Sequence, residues 1–281
     1  MYKTALAVFL SFISVCAYSQ TVAFSTEVNL DGKGITIVGF KGNAAEIVIP
    51  RTIDGLPVTA IGEFAFDSRG LTKLVLPEGL ESIGFFAFPG NELKTLIIPN
   101  TVTTIDGGAF ANNQLESVVL SDNLIKISSI AFEGNKLRNI ILPESLEIIG
   151  QLTFASNQLS EIIVPDNVID IQSGAFADNE LRNIVLPKRL KHLYTNIYDE
   201  NYLTSIIIPD NIVAVFGELS PRKNTITSVT IGENVELHLN EDNPFDMSFY
   251  NFYTENGSRK GTYKFSNDKW TILTDGNMKG E

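Results

Sequence analysis

"GAFANNQLESVVLSDNLIKISSIAFEGNKLRNIILPES", residues 108–145, states one phrase twice. Ala-Phe-Ala-Asn-Asn-Gln-Leu at 109–115 returns as Ala-Phe-Glu-Gly-Asn-Lys-Leu at 131–137, a shift of 22 residues. Phe, Asn and Leu stay fixed while the residues between them vary. A chain fixes side chains at a constant period when each copy must bury them against the next, because one copy is too small to bury them alone.

The period extends in both directions. Pro77, Pro99, Pro143, Pro165, Pro187 and Pro209 lie on one 22-residue grid, with Ser121 at the remaining place. The unit "PDNVIDIQSGAFADNELRNIVL" (165–186) carries every fixed position. The earlier unit "PRTIDGLPVTAIGEFAFDSRGLTKLVL" (50–76) has five extra residues and Arg69 in place of Asn. Repeats of this length with Leu and Asn at fixed offsets predict a β-rich leucine-rich-repeat solenoid. Around Ser117, Val118, Val119 and Leu120 apolar and outward positions alternate, so each coil is expected to hold a short strand. Equivalent strands are expected near Leu74, Leu96, Ile140, Ile162, Ile184, Ile206 and Val229. Stacked at ~4.8 Å they would form one long parallel sheet, and the Pro after each strand, unable to donate to the ladder, would end it.

The fixed residues read as columns of the core. Phe66, Phe88, Phe110, Phe132, Phe154 and Phe176 would stack as a spine that Tyr198 continues. Asn91, Asn113, Asn135, Asn157, Asn179 and Asn201 would form a second column, whose amides serve backbone groups left unpaired at a turn.

Residues 53–66, Ile-Asp-Gly-Leu-Pro-Val-Thr-Ala-Ile-Gly-Glu-Phe-Ala-Phe, and the Ala-Phe-x-x-Asn units that follow resemble the BspA-type leucine-rich repeat, named for a bacterial surface antigen. The likeness covers roughly residues 24–240. It implies an exported surface protein, often of host-associated microbes, with an adhesive or protein-binding role. It supplies no catalytic residue set.

The flanks read as caps. Residues 32–50 alternate as two short strands around Lys41-Gly42-Asn43, within an N-terminal β cap spanning 20–49. The solenoid is expected over 50–240 and a small α+β cap over 241–281. In that cap Phe249, Phe252 and Tyr253 suit a helix stopped at Gly257, and Tyr263/Phe265 with Trp270/Ile272 suit a hairpin turning at 266–268. At the other end Lys3, an apolar run over 5–15 and the small residues Ala17 and Ser19 predict a signal peptide over 1–19, cut after Ser19. A lipid anchor on Cys16, the chain's single cysteine, is the alternative. The apolar run is too short to span a bilayer, so no transmembrane segment is expected in the mature chain.

The net charge of −12 argues against nucleic acid and anionic membranes as partners. No Gly-x-Ser-x-Gly, Walker-type loop or Gly-x-Gly-x-x-Gly occurs, and the two histidines, His192 and His238, lack metal-ligand spacing to each other. Neither an enzyme, a metal site nor a cofactor is expected. Glu78, Asp122, Glu144, Asp166, Asp210 and Glu233 recur after the strand stop, interrupted by Asn100 and Lys188. They read as solvated turn residues, with a weak calcium edge as the alternative.

A binding surface is expected on the sheet. Its outward positions are Val75, Ile97, Val119, Ile141, Ile163, Val185 and Ile207, then Thr230. The row beside them carries Lys94, Arg138 and Arg182 among Thr72, Glu116, Ser160 and Thr204. An apolar stripe with a basic rim suits a protein ligand, such as a host extracellular protein. A rival reading is a structural component that dimerises through this face. A further one is carbohydrate binding, for which Tyr250, Tyr253 and Trp270 are the available aromatics.

Overall fold

The computed structural model describes residues 24–220 and 223–273. The expected signal peptide and Cys16 lie outside the described residues. The chain divides after Leu137 into two compact units.

In the first unit, Phe24–Val28 pairs antiparallel with Ile35–Phe40. Ile35–Phe40 then starts a parallel ladder through Leu56–Ile61, Ser82–Ile83, Thr104–Ile105 and Lys126–Ile127. The strands expected from the outward stripe lie elsewhere in each coil and form shorter ladders, Glu46–Val48 with Lys73–Val75 and Thr95–Ile97 with Ser117–Val119. Each of these coils therefore has two strand segments where the alternation predicted one. Ser82–Ile83, Thr104–Ile105 and Lys126–Ile127 in the long ladder are strands of only two residues, too short to show a period-2 pattern.

Two short strands flank Lys41-Gly42-Asn43. Ile35–Phe40 and Glu46–Val48 belong to different ladders, and the end of the sheet is covered by Phe24–Val28. The five extra residues of the first full unit make a local hairpin, Thr52–Ile53 against Leu56–Ile61. Asp54 and Gly55 turn it at φ 51° and 81°, the left-handed pair that a tight two-residue turn requires.

The corner before each core Phe is also left-handed. Phe64, Phe86, Gly108 and Ile130 occupy equivalent places at φ 54°, 48°, 65° and 55°. Glycine suits that corner, and only one of the four is glycine.

Inside the first unit Phe66, Phe88, Phe110 and Phe132 are fully buried. Their rings stack at 4.8, 5.4 and 5.6 Å between centroids, with planes within 12° of parallel. Phe24 and Phe40 start the stack, Phe40 lying 5.9 Å from Phe66. The Asn column is buried beside them. Asn91 Nδ2 donates to the carbonyls of Phe66, Phe88 and Pro89, and its Oδ1 accepts from the amides of Arg69 and Leu71. Each amide thus satisfies the backbone of its own corner and of the coil before it.

The second unit repeats the scheme. Ile148–Ile149 pairs with Asp170–Ile171, His192–Tyr194 with Ala214–Gly217, and Ala214–Gly217 in turn with Glu236–Leu239. On the other ladder Glu161–Ile163 pairs with Asn183–Val185, and Ser205–Ile207 with Ser228–Ile231. No strand forms around Ile140, where one was expected, although Ile140 and Leu142 are buried. Phe154 and Phe176 stack at 5.8 Å. Tyr198 takes the Phe position from a 3-10 turn, Thr195–Tyr198, and Asn201 donates to the Phe176 and Tyr198 carbonyls. Asn224 continues the Asn column across the one-residue-longer coil, its Oδ1 accepting from Leu203.

Helix α1, Pro244–Glu255, follows in the same unit. Asn243 caps it by accepting from the amides of Phe245 and Asp246, and Pro244 stands where no amide partner is needed. Phe249 and Tyr253 are buried against Tyr263 and Trp270. Those two rings belong to the hairpin Gly261–Ser266 and Lys269–Leu273, whose first strand pairs antiparallel with Ser228–Ile231. Asn267 and Asp268 turn it at φ 49° and 58°.

Candidate binding face

In a strand, successive side chains point to opposite faces. Leu96 and Ile98 are therefore buried at 2% exposure while Ile97 between them is 63% exposed. In the first unit Ile97 lies directly opposite Val119, also exposed. Val75 pairs with Val48 at the start of the unit and is half-buried.

In the second unit Ile141 and Ile163 are 88% and 67% exposed, and Val185 and Ile207 are exposed as well. Ile163 lies opposite Val185, and Ile207 opposite Thr230. Thr230 is partly covered, its hydroxyl 2.9 Å from that of Thr262 in the C-terminal hairpin. Each unit therefore presents its own apolar, β-branched outward row.

Lys94, Arg138 and Arg182 are all exposed. The Lys94 carbonyl accepts from the Glu116 amide at 2.8 Å, and the Ser160 carbonyl from the Arg182 amide at 3.2 Å, so the rim is pinned coil to coil by backbone bonds. Arg138 Nε donates to Gln158 Oε1 at 3.4 Å. Long cationic side chains beside an apolar row can bury their stems on it while the charged heads stay wet.

The acidic row after the strand stops is interleaved with partners. Asn100 and Asp122 exchange hydrogen bonds at 2.9 and 3.2 Å. Lys188 Nζ lies 2.6 Å from Asp166 Oδ2, which holds that carboxyl below its ordinary range. Lys260 pairs with Asp210. Among the described residues no group of three or more His, Asp or Glu is placed to hold a metal ion.

The C-terminal aromatics are placed differently from expectation. Tyr253 and Trp270 are buried: the Tyr253 hydroxyl accepts from the Val235 amide and donates to the Gly232 carbonyl, and Trp270 Nε1 donates to Ser248. Of the three named aromatics, Tyr250 alone is half-exposed.

Two exposed aromatic groups were missed. Phe64, Phe85 and Phe86 cluster in the first unit, Phe64 stacking on Phe86 at 5.8 Å with Phe85 edge-on to both. Tyr194, Phe216 and His238 stack in the second. The signal was available: 64 and 86, and 194, 216 and 238, are again 22 apart.

The BspA type leucine rich repeat region matches the chain in 6 copies, over residues 41–159 and 126–245. Among curated proteins, none matches. Among solved structures, the leucine-rich-repeat protein of T. pallidum is similar at 28% identity, over 69% of this chain and 79% of that one, with a TM-score of 0.44. The pneumococcal vaccine antigen PcpA is similar at 18% identity, over 77% and 83%, with a TM-score of 0.44. A leucine-rich cell surface protein of Faecalibacterium prausnitzii is similar at 17% identity, over 80% and 95%, with a TM-score of 0.31.

Proposed function

Since the chain belongs to the BspA-type leucine-rich-repeat family, a family of protein-interaction repeats, we propose that it is an exported, surface-located binding protein that engages a protein ligand through its outward apolar rows. The observation that carries this reading is the exposure of Ile97, Val119, Ile141, Ile163, Val185 and Ile207. Exposed apolar rows of this kind mark interaction surfaces, and Lys94, Arg138 and Arg182 give the face a rim for acidic groups on the ligand. The residues serve as a scaffold for binding and not for catalysis. Adhesion to host or matrix proteins is the role the family favours. Among the described residues no helix is long and apolar enough to cross a membrane.

The test is Ile141→Asp with Ile163→Asp, at the two most exposed places of the second unit's row. Residues 20–281 should capture a ligand from serum or extracellular-matrix proteins, and the folded double variant should lose it. Undiminished capture by a folded double variant removes the face from consideration.

The second reading, self-association, draws on the same rows, because two β-branched surfaces complement each other. Sedimentation of the isolated chain separates the two. A tight dimer that the double variant breaks assigns the face to a second copy.

A further inference from the structure

Tyr194, Phe216 and His238 share the period of the core but lie outside it. The ladder His192–Tyr194, Ala214–Gly217, Glu236–Leu239 sets Tyr194 opposite Phe216 and Phe216 opposite His238. Tyr194 stacks on Phe216 at 5.1 Å, and Phe216 on His238 at 4.6 Å with the planes 4° apart. Glu236–Leu239 is the last strand of its sheet, so His238 ends the stack. One face of its imidazole lies against the Phe216 ring, and Nε2 is 3.5 Å from the Glu236 carboxylate.

Beyond His238 lies a groove of about 260 Å³, between the last strand and helix α1, bordered by Glu236, His238, Tyr250, Tyr253 and Thr254. Phe216 does not line it, whereas His238, exposed at the end of the stack, does. We propose that this groove binds one pyranose ring of a saccharide, stacked on His238 as the next member of the aromatic ladder.

The chemistry fits in three respects. The C–H face of a pyranose is apolar and flat, and a ring already stacked on its neighbour loses less freedom on binding it. Its hydroxyls need polar groups around that platform. Glu236 supplies acceptor oxygens, Tyr250 a phenol, and Thr254 a hydroxyl whose proton is directed to the carbonyls of Tyr250 and Asn251, leaving its oxygen to accept. Tyr253 shapes the wall but is committed to Val235 and Gly232. The groove is also smaller than the ~300–1,000 Å³ of drug-sized sites, which suits one ring with the rest of the glycan in solvent. An added β-strand is disfavoured, because α1 packs beside the last strand. The carboxylate at the mouth of a chain of net charge −12 favours neutral or amino sugars over uronic acids.

Saturation-transfer NMR on the full chain tests this with four probes: glucose, galactose, N-acetylglucosamine and glucuronate. At least one neutral pyranose should receive transfer on its ring C–H protons and glucuronate none. His238→Ala should weaken the positive probe at least about tenfold, and Tyr250→Phe, which keeps the ring, should weaken it several-fold. Circular dichroism confirms that each variant is folded, and Tyr250→Phe decides if His238→Ala is not. Absence of transfer to every neutral sugar overturns the proposal, as does unchanged transfer in both folded variants. Tryptophan amide binding where no sugar does would assign the groove to an aromatic side chain of a protein partner and overturn it as well.

Discussion

The side-chain amide of Asn113 donates to the carbonyl of Phe88, 25 residues earlier, at 2.9 Å. The same nitrogen reaches the carbonyls of Phe110 and Ala111, and Oδ1 accepts from the Leu93 amide at 3.2 Å. One buried side chain therefore saturates the backbone of two consecutive coils. Asn113→Ala leaves those groups buried and unpaired, and we expect a loss of about 3 kcal/mol in urea denaturation. Asn113→Asp should cost more, because a carboxylate would face three carbonyls with nothing to donate. A change within ~0.5 kcal/mol for Asn113→Ala would show that water serves the corner equally well.

Phe110 sits between Phe88 and Phe132 and is fully buried. Phe110→Ala should cost about 3–5 kcal/mol, as a large truncation with packed neighbours on both sides that cannot collapse into the space. Lys136→Ala, at an exposed position whose ammonium donates to Gln114 Oε1, should stay within ~0.5 kcal/mol. Matching denaturation midpoints for the two variants would contradict the stacked core.

Gly108 and Gly70 separate backbone strain from steric contact. They have φ 65° and 67°, but a Cβ on Gly108 would lie 2.5 Å from Phe86 Cε1, and one on Gly70 meets nothing within 4 Å. Gly70→Ala should cost about 1–2 kcal/mol for the left-handed backbone alone. Gly108→Ala should cost clearly more, since the Phe86 ring must leave its place over the next coil. Equal losses would mean that the ring is free to move.

Asp246 is fully buried near the start of α1, and Oδ1 accepts from the Leu219 amide. Burial pushes its carboxyl up to about 6, Glu218 adding to the rise and the backbone amides of Leu219 and Asn240 opposing it. The folded state therefore holds the proton more tightly than the unfolded chain. Its stabilising effect is complete below pH ~4 and is lost as pH rises through ~6, by up to ~3 kcal/mol. Asp246→Asn should flatten that decline. The check is the melting temperature of both proteins from pH 4 to 7.5, and a parallel decline in the variant would locate the titration elsewhere.

The core was legible because its signal recurs. Phe and Asn at a constant offset have one physical reading, burial against the neighbouring copy, and alternation around Val119 gave the outward row without coordinates. The two-residue strands at Ser82–Ile83 and its equivalents were hidden because two residues hold no pattern. The burial of Tyr253 and Trp270 was hidden because it depends on how α1 folds against the C-terminal hairpin, a contact no repeat announces. Phe64 and Phe86 were overlooked because an aromatic beside a core Phe reads as core, whereas the left-handed corner turns it outward. The ladder ending at His238 carried the same period as the core but used different residue types, Tyr, Phe and His, so identity concealed the spacing.

The antiparallel pairing of Gly261–Ser266 with Ser228–Ile231 bears on how long such a molecule can be. A parallel ladder of identical coils has no internal reason to stop, and its bare edge would accept a strand from any neighbouring copy. A hairpin running against the grain closes that edge to another coil and exposes Lys269–Leu273 in its place, with Lys269 exposed at its start. The terminator and the repeats are thus separable instructions. Whole coils can be gained or lost upstream while the last turn still ends in the same stop.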